Sequence, residues 1–422
     1  MRKSIVSRSL RLLAATVTVC VLTAFTQAQL QPNKAASYKE KVLHAFTGKS
    51  DGAQPTDLVR DANGNLYGAT AFGGNMSGRC GQQYGLRGCG IVFELSAKGK
   101  FKVLHTFDFS DGVVPGNLVY DASGNLYGTA TWGGNSACQN EGCGVIFKLT
   151  SAGAFTLLYK FTGGSDGLNP NGLTMGAKGN LYGTACCGEV FQLTASGKLE
   201  VLYSFTETGT GLGPEGVIED SAGNLYGTTF GGGDTSCSLY EGSGCGLVYK
   251  LDTSGKETVL YSFKGRSDGA FPASTLIMDK AGNLYGTASL GGDEKGVCHL
   301  SGSPVGCGTV FKIDTAGAFS VLVKFDGSDG LYPGTLTEDA HGIIFGTTDF
   351  GGNVCCGVVY KLTAGNKEAV LYNFKRQSDG GWPVKVVEDT KGNLYGTTLN
   401  GGDLSCAPGQ GVGCGVIFEL TP

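Results

Sequence analysis

Cysteines are the residues of this chain whose number and spacing could do chemistry. Fourteen of the 15 cysteines form seven pairs, and two of these pairs are adjacent in sequence. Such pairs form disulfides in an oxidising compartment, or they donate thiolates to zinc. We favour disulfides, because each pair offers only two ligands and the four histidines do not follow the pairs along the chain. The predicted bridges are Cys80–Cys89, Cys138–Cys143, Cys186–Cys187, Cys237–Cys245, Cys298–Cys307, Cys355–Cys356 and Cys406–Cys414.

The two adjacent pairs stand in units where the segment that separates the other pairs is almost absent. We interpret them as shortened forms of the same bridge, with a free thiol pair as the alternative. Closing a loop of about ten residues stabilises a fold by roughly 2–3 kcal/mol. A bridge between neighbouring residues is strained, and it is therefore more easily reduced.

Two further sets of residues are candidates for ligand binding. An aspartate recurs in the segment Ser-Asp-Gly-x-x-Pro. A ring of these carboxylates could bind Ca²⁺ or a cationic ligand, but Asp-Gly before Pro is also ordinary turn chemistry. An aromatic residue recurs before Gly-Gly, where it could stack on a sugar or a protein partner, or pack between neighbouring blades. The candidates are Asp51, Asp111, Asp166, Asp268, Asp329 and Asp379, and Phe72, Trp132, Phe230 and Phe350.

Motifs of common enzyme classes do not accompany these residues. The chain has no H-E-x-x-H sequence and no Walker loop. We therefore predict no catalytic residues, no metal and no cofactor, with Ca²⁺ as the alternative. The net charge is −4 and no basic cluster is present, so nucleic acid is not an expected partner.

Internal repetition organises the candidate residues. The sequence Gly-Asn-Leu-Tyr-Gly occurs six times, and a diverged copy begins at Gly342. Each copy lies among three other short apolar runs, as in NLVYD (117–121), GVIFKL (144–149) and LLYKF (157–161). Such runs, bounded by Gly, Asp, Asn and Pro, are typical of strands, and Asp-x-x-Gly-Asn is typical of a tight hairpin. We therefore predict four antiparallel strands in each of the seven units. We name them a (as NLVYD), b (NLYGT), c (GVIFKL) and d (LLYKF).

Seven such units predict an all-β fold, a seven-bladed β-propeller. The first unit-like run is a strand d, VLHAF (42–46), and the last is a strand c, GVIFEL (415–420). We expect the first strand to pair with the last blade and close the ring, with a β-solenoid as the alternative. In a propeller the b–c and d–a loops share one face, which here carries the cysteines and both candidate sets. Units three and six have short b–c loops, so we expect a cleft over them.

The N-terminus has the features of a secretory signal peptide. Basic residues precede the apolar run LLAATVTVCVLTAF (12–25), and small residues follow it. We predict a signal peptide at 1–28, a linker at 29–40 and the propeller at 41–422. At about 14 residues the apolar run is short for a membrane span, although a retained anchor is the alternative. We expect an exported protein, extracellular or periplasmic, with no membrane span in the mature chain.

The repeat, from Asp-x-x-Gly-Asn-Leu-Tyr-Gly through Gly-Gly to the runs GVVFKL and VLYxF, resembles the GloVer tandem repeat family. The resemblance covers nearly all of residues 40–422. It implies an exported bacterial repeat protein of the choice-of-anchor type, although this sequence carries no sorting tail after Pro422.

Two functions are consistent with this sequence. The first is a secreted, monomeric, non-enzymatic binding or scaffold protein for a polysaccharide or an extracellular protein. The alternative is an extracellular carbohydrate-active enzyme, a lyase or hydrolase, with its site on the loop-bearing face.

Overall fold

The structure is a computed structural model in which Ala36–Pro422 form one compact unit. It describes residues 38–82, 88–205, 211–237, 244–292, 298–300, 303–363, 367–406 and 412–422. The predicted signal peptide and most of the predicted linker lie outside these residues. The first strand begins at Lys39, slightly before the predicted start of the propeller at residue 41.

All seven repeats form antiparallel sheets in the order a–b–c–d, and in blade 4 strand a is split into two short strands. The a strands are Ala53–Arg60, Val113–Tyr120, Pro170–Met175, Leu212–Pro214 with Ile218–Glu219, Ile277–Met278, Leu331–Glu338 and Gly381–Glu388. The b strands are Leu66–Phe72, Leu126–Trp132, Leu181–Ala185, Leu225–Gly231, Leu284–Ala288, Ile344–Phe350 and Leu394–Asn400. The c strands are Ile91–Leu95, Val145–Leu149, Glu189–Leu193, Leu247–Leu251, Thr309–Ile313, Val358–Leu362 and Val416–Thr421. The d strands are Phe101–Thr106, Phe155–Lys160, Leu199–Ser204, Glu257–Ser262, Phe319–Lys324, Glu368–Asn373 and, for blade 7, Lys39–Ala45.

Small elements decorate the b–c loops. A helix of one turn, Gly78–Gln82, lies in the loop of blade 1. Two short strands, His299–Leu300 and Ser303–Pro304, pair in the loop of blade 5.

The a–b hairpin is built around one aspartate, as in blade 2. The Asp121 carboxylate accepts hydrogen bonds from the backbone N–H groups of Ser123 and Asn125, from the Asn125 amide and from the Tyr127 hydroxyl. Gly124 takes the left-handed conformation that the turn requires, with φ of 78°. This explains the repeated Asp-x-x-Gly-Asn-Leu-Tyr, because each polar residue of the motif satisfies the same turn.

The first strand closes the ring, as predicted. Strand Lys39–Ala45 pairs antiparallel with Val416–Thr421, with a bulge between Val42 and His44. Phe46, the residue that follows, is completely buried. Since this pairing completes blade 7 with the first strand of the propeller, the β-solenoid alternative is excluded.

The hydrophobic core lies between the blades. Seven clusters of buried side chains can be traced among the described residues, and each draws on two neighbouring blades. The c strands are the most buried. A Phe or Tyr ring from each c strand packs against the second glycine of the Gly-Asn-Leu-Tyr-Gly motif. A Cβ atom on Gly128 would lie 2.5 Å from Phe147 Cζ and 2.8 Å from Leu118 Cδ2. The motif therefore ends in glycine because a side chain would overlap the core.

Replacing Gly128 by alanine tests this packing argument. Gly128→Ala is expected to lower the free energy of unfolding by about 3 kcal/mol, because Phe147 is buried and the backbone cannot move away. Gly164→Ala is the matched control, since its nearest neighbour is an exposed threonine hydroxyl at 3.3 Å. Urea denaturation of both variants measures the effect. Equal midpoints for the two variants would contradict the argument.

Candidate binding site at the loop-bearing face

One residue at the start of strand a, or shortly before it, has an unusual backbone in each unit. It precedes the proline that recurs in all seven units and has a φ between 53° and 61°, the left-handed region, although six of the seven are not glycine. Such a conformation costs about 1–3 kcal/mol unless the surroundings fix it. The positions are Gln54, Val114, Asn169, Gly213, Phe271, Tyr332 and Trp382.

A hydrogen bond to the neighbouring blade fixes this backbone. The N–H of Trp382 donates to the carbonyl of Cys356, at 2.8 Å, and the N–H of Gln54 donates to the carbonyl of Cys414, at 2.8 Å. Val114, Asn169, Phe271 and Tyr332 make the same bond to the second cysteine of the preceding blade. The cysteine loops therefore also fix the backbone of the next blade at this position. They thereby set the orientation of the side chain that this position carries.

Three of these positions carry aromatic side chains, and two of them form a cluster with Phe350. The Phe350 ring lies 5.8 Å from Tyr332 and 5.1 Å from Trp382, with tilted or edge-to-face geometry. All three side chains are half-buried. The Arg376 guanidinium lies over the indole of Trp382, at 5.6 Å. We call Tyr332, Phe350 and Trp382 the aromatic cluster.

Asp349 directly precedes Phe350 in strand b of blade 6, so its side chain lies on the opposite face of the strand from the Phe350 ring. The residue is exposed, so its carboxylate is open to solvent.

The b–c loop of blade 6, next to the aromatic cluster, is short. Strand b of this blade ends at Phe350 and strand c begins at Val358, whereas the corresponding residues in blade 7 are Asn400 and Val416. The connection contains the disulfide Cys355–Cys356. This is the local setting in which the sequence predicted a cleft, and the cleft itself stays a prediction.

Of the four aromatic candidates from the sequence, only Phe350 joins the aromatic cluster. Phe72 and Trp132 are half-buried and pack against the cores that their blades share with the preceding blade. Phe230 is displaced by one residue from the expected position, because Gly231 pairs with Leu212 as Phe72 pairs with Ala53. A shift of one residue turns a side chain to the other face of a strand, and Phe230 stacks on Phe271 at 4.9 Å.

Tyr332 and Trp382 were missed by the sequence analysis. The available signal was an aromatic residue directly before the conserved proline in units five, six and seven, as in Leu331-Tyr332-Pro333. The local sequence at this position indicates a turn. It does not show that the side chain contacts the end of a strand b.

The six candidate aspartates lie in the d–a turns, where each carboxylate accepts backbone N–H bonds. In most blades a side chain of strand d adds a further bond. Tyr159, Tyr261 and Tyr372 donate their hydroxyls to Asp166, Asp268 and Asp379 at 2.8–3.0 Å. His105 and His44 contact Asp111 and Asp51 at 2.9 and 3.3 Å. In the described part of the chain, no group of three or more His, Cys, Asp or Glu side chains has a geometry that could hold a metal ion.

Asp329 differs from the other five aspartates. Val323 occupies the position of the tyrosine or histidine, so this turn has no hydroxyl or imidazole donor from strand d. Burial raises the pKa of Asp329 to about 7. Burial and the charges of Asp329 and Asp326 raise the pKa of nearby Glu368 to about 8, and Glu368 Oε1 is buried without a hydrogen-bond partner.

Replacing Glu368 by glutamine is expected to stabilise the protein at high pH only. The carboxyl has a higher pKa folded than unfolded, so its ionisation costs stability progressively from about pH 4.5 to 8 and fully above that. Glu368→Gln should therefore raise the melting temperature at pH 9 but not at pH 4.5. Glu257→Gln is the control, since Glu257 Oε1 is also buried without a hydrogen-bond partner but Glu257 Oε2 accepts the Tyr203 hydroxyl at 3.0 Å. A pH-independent difference for Glu368→Gln would contradict the assignment.

Polar side chains at the inner edge of the ring link successive a strands. Lys385 Nζ donates to Asp57 Oδ1 at 3.2 Å, and the N–H of Leu118 donates to Asp57 Oδ2 at 2.6 Å. Asn171 donates to Glu215 Oε2 at 2.7 Å, and burial raises the pKa of Glu215 to about 7. These residues were also missed. They follow the proline that recurs in every unit, at positions where the residue type changes from unit to unit, and that deviation from the repeat was the available signal.

Six of the seven predicted bridges are present as disulfides: Cys80–Cys89, Cys138–Cys143, Cys237–Cys245, Cys298–Cys307, Cys355–Cys356 and Cys406–Cys414. The predicted bridge Cys186–Cys187 is wrong for this structure. The two Sγ atoms lie 3.6 Å apart, in non-bonded contact. Both residues occupy the tight turn between strands b and c, where the N–H of Gly188 donates to the carbonyl of Ala185. Cys355, which is bonded, instead has a φ of 143°.

One repeat family matches nearly the whole of this chain. Segments 29–186, 74–297 and 296–422 match the Gloeobacter/Verrucomicrobia repeat. The chain belongs to this family. The segments together span the repeats, which confirms the resemblance seen in the sequence. No curated protein matches this member of the Gloeobacter/Verrucomicrobia repeat family.

Solved structures share the fold of this repeat protein. One is described as a streptogramin B lyase structure, with 14% identity, a TM-score of 0.58, and coverage of 91% of this chain and 97% of that one. Another is the catalytically inactive H270A virginiamycin B lyase from Staphylococcus aureus with quinupristin, with 14% identity, a TM-score of 0.60, and coverage of 92% and 100%. At this identity the likeness shows the fold alone. Among the described residues, no helix is long and apolar enough to span a membrane.

Proposed function

We propose that this protein is an exported, monomeric, non-enzymatic β-propeller that binds a polysaccharide through the aromatic cluster. The observation that carries the proposal is the grouping of Tyr332, Phe350 and Trp382 on the loop-bearing face, beside a short loop. The six disulfides support export, since such bonds persist in oxidising compartments.

The chemistry of the aromatic cluster favours a sugar ligand. Half-buried rings offer a rigid apolar surface at low entropic cost, which suits the C–H faces of a pyranose. Arg376 adds hydrogen-bonding groups at the edge of this surface, over the indole of Trp382, and a few placed polar groups around an apolar lining are the usual features of a ligand site. An extracellular protein is the other outcome that the test below distinguishes.

A carbohydrate-active enzyme is the second candidate. Glu215 is half-buried and accepts a hydrogen bond from Asn171 at 2.7 Å, and burial raises the pKa of its carboxyl to about 7, so it can exchange a proton near neutral pH. General acid–base catalysis uses groups of this kind. The shared fold with proteins described as lyases does not favour either candidate.

A panel of polysaccharides tests the proposal. The purified protein is titrated with laminarin, barley β-glucan, xylan, pectin and alginate, and each mixture is also assayed for new reducing ends and unsaturated products. Binding without product supports the proposal, and product formation supports the enzyme. If no member of the panel binds, the polysaccharide proposal fails and an extracellular protein is the remaining candidate ligand.

A further inference from the structure

The disulfide between the neighbouring residues Cys355 and Cys356 is joined to the aromatic cluster at two points. Both cysteines form bridge pairings with Gly351, the residue that follows Phe350. The carbonyl of Cys356 also accepts the hydrogen bond from the N–H of Trp382 at 2.8 Å. The disulfide therefore touches the backbone beside both rings of the 5.1 Å contact between Phe350 and Trp382.

The backbone of Cys355 has an uncommon conformation, with a φ of 143°. Residues other than glycine keep such a conformation only where their surroundings impose it. The bonded neighbour, Cys356, is 1% exposed and belongs to a buried core cluster, so closing a ring with it restricts Cys355 as well. When the bond is broken, Cys355 can return to an ordinary φ, and the adjoining chain that carries the Cys356 carbonyl turns with it.

Cys355 is the accessible member of the bonded cysteines. Its residue is exposed, whereas the other cysteines of the six described disulfides are half-buried or buried. Exposed or strained disulfides are the ones that thiols reduce most readily, and a ring of two adjacent cysteines is strained. A dithiol reductant therefore reacts with Cys355–Cys356 before it reacts with the longer bridges.

We propose that the Cys355–Cys356 bridge is a redox switch for the aromatic cluster. The closed bridge fixes Trp382 for ligand binding, and reduction of the bridge by a dithiol releases Trp382. This inference rests on the proposed function, because it concerns the regulation of the same site. Affinity falls on reduction because a mobile indole must be ordered when the ligand binds.

The reduction proceeds by two thiol–disulfide exchanges. A thiolate of the dithiol attacks the Cys355 sulfur, the Cys355–Cys356 bond breaks, and the Cys356 sulfur leaves and takes up a proton. The second thiol of the reductant then displaces the Cys355 sulfur, which is released as a thiol, and the reductant becomes a cyclic disulfide. The bridge gains the two electrons and two protons that the dithiol loses.

The deciding measurement needs no polysaccharide. Trp132→Phe leaves Trp382 as the single indole of the chain, and this protein is treated with dithiothreitol under native conditions. Alkylation and peptide mapping locate the reduced cysteines, which we expect at Cys355 and Cys356 roughly tenfold faster than at the longer bridges. Reduction of this bridge should shift the Trp382 emission to longer wavelength and increase its quenching by acrylamide, and reoxidation should reverse both changes.

Two double variants separate the bridge from general effects of the reductant. In the Trp132→Phe background, Cys355→Ser with Cys356→Ser should show the emission of the reduced protein, and dithiothreitol should not change it. Cys80→Ser with Cys89→Ser is the matched control, since the Cys89 carbonyl positions Val114, and it should keep the oxidised emission. Circular dichroism confirms that both variants are folded. If either variant fails to fold, reduction of the parent protein still gives the answer.

Laminarin extends the test to binding. Its dissociation constant should rise about tenfold on reduction. If laminarin and the other polysaccharides of the panel bind neither form, the proposed function fails, whereas the emission of Trp382 still decides the switch. The switch is overturned if mapped reduction of Cys355–Cys356 leaves emission and quenching unchanged, or if the longer bridges are reduced first.

Discussion

A chain that starts at Thr47 is expected to lose the soluble propeller, whereas a chain that starts at Tyr38 is expected to keep it. The longer truncation removes strand Lys39–Ala45 and the completely buried Phe46. Strand Val416–Thr421 then becomes an open edge with unpaired backbone groups, which promotes aggregation. Deleting one buried Phe side chain costs about 3–5 kcal/mol, and a whole strand adds to that loss. The total approaches the stability of an ordinary domain, about 5–15 kcal/mol.

A circular permutant separates ring closure from a general effect of truncation. Thr421 pairs with Lys39, so a short turn can join Pro422 to Tyr38 with new termini at Thr47. This variant keeps every strand and should melt within a few degrees of the parent chain. Size-exclusion chromatography and thermal melts compare the three chains. A soluble, cooperatively melting chain from Thr47 would contradict the role given to the first strand.

Replacing Trp382 by alanine is expected to weaken polysaccharide binding by 10- to 100-fold, or about 1.4–2.7 kcal/mol. Trp382 presents its indole from a backbone fixed by the Cys356 carbonyl, so the residue is rigid before the ligand arrives. A central, preorganised aromatic residue is the usual hot spot of such a surface. Isothermal titration with the tightest-binding member of the panel gives the affinity. An unchanged affinity would remove the aromatic cluster from the site.

The other tryptophan provides a matched control. Trp132 packs against the core between blades 1 and 2, so Trp132→Ala should lower stability without changing affinity. The chain has only two tryptophans. Trp132→Phe therefore leaves Trp382 as the single indole, and its fluorescence should change when the polysaccharide binds. A ligand that binds without such a change lies elsewhere on the surface.

The architecture followed from the sequence because each repeat encodes its own local structure. Asp121 with Asn125 and Tyr127 specifies a hairpin that needs no distant partner. The seven copies and the displaced first strand then predicted the number of blades and the closure. The cysteine pairs were equally local, and they failed only at Cys186–Cys187, where the tight turn holds the two sulfurs apart.

The candidate site was decided by the tertiary structure. Phe350 belongs to one repeat unit and Trp382 to the next, and their contact exists only because the end of strand b in one blade meets the start of strand a in the next. Lys385 and Asp57 are brought together by closure of the ring alone. A repeated sequence specifies the unit, since its hydrogen bonds and apolar faces are local. The side chains that meet between units depend on how the blades are arranged around the axis, and no single repeat carries that information.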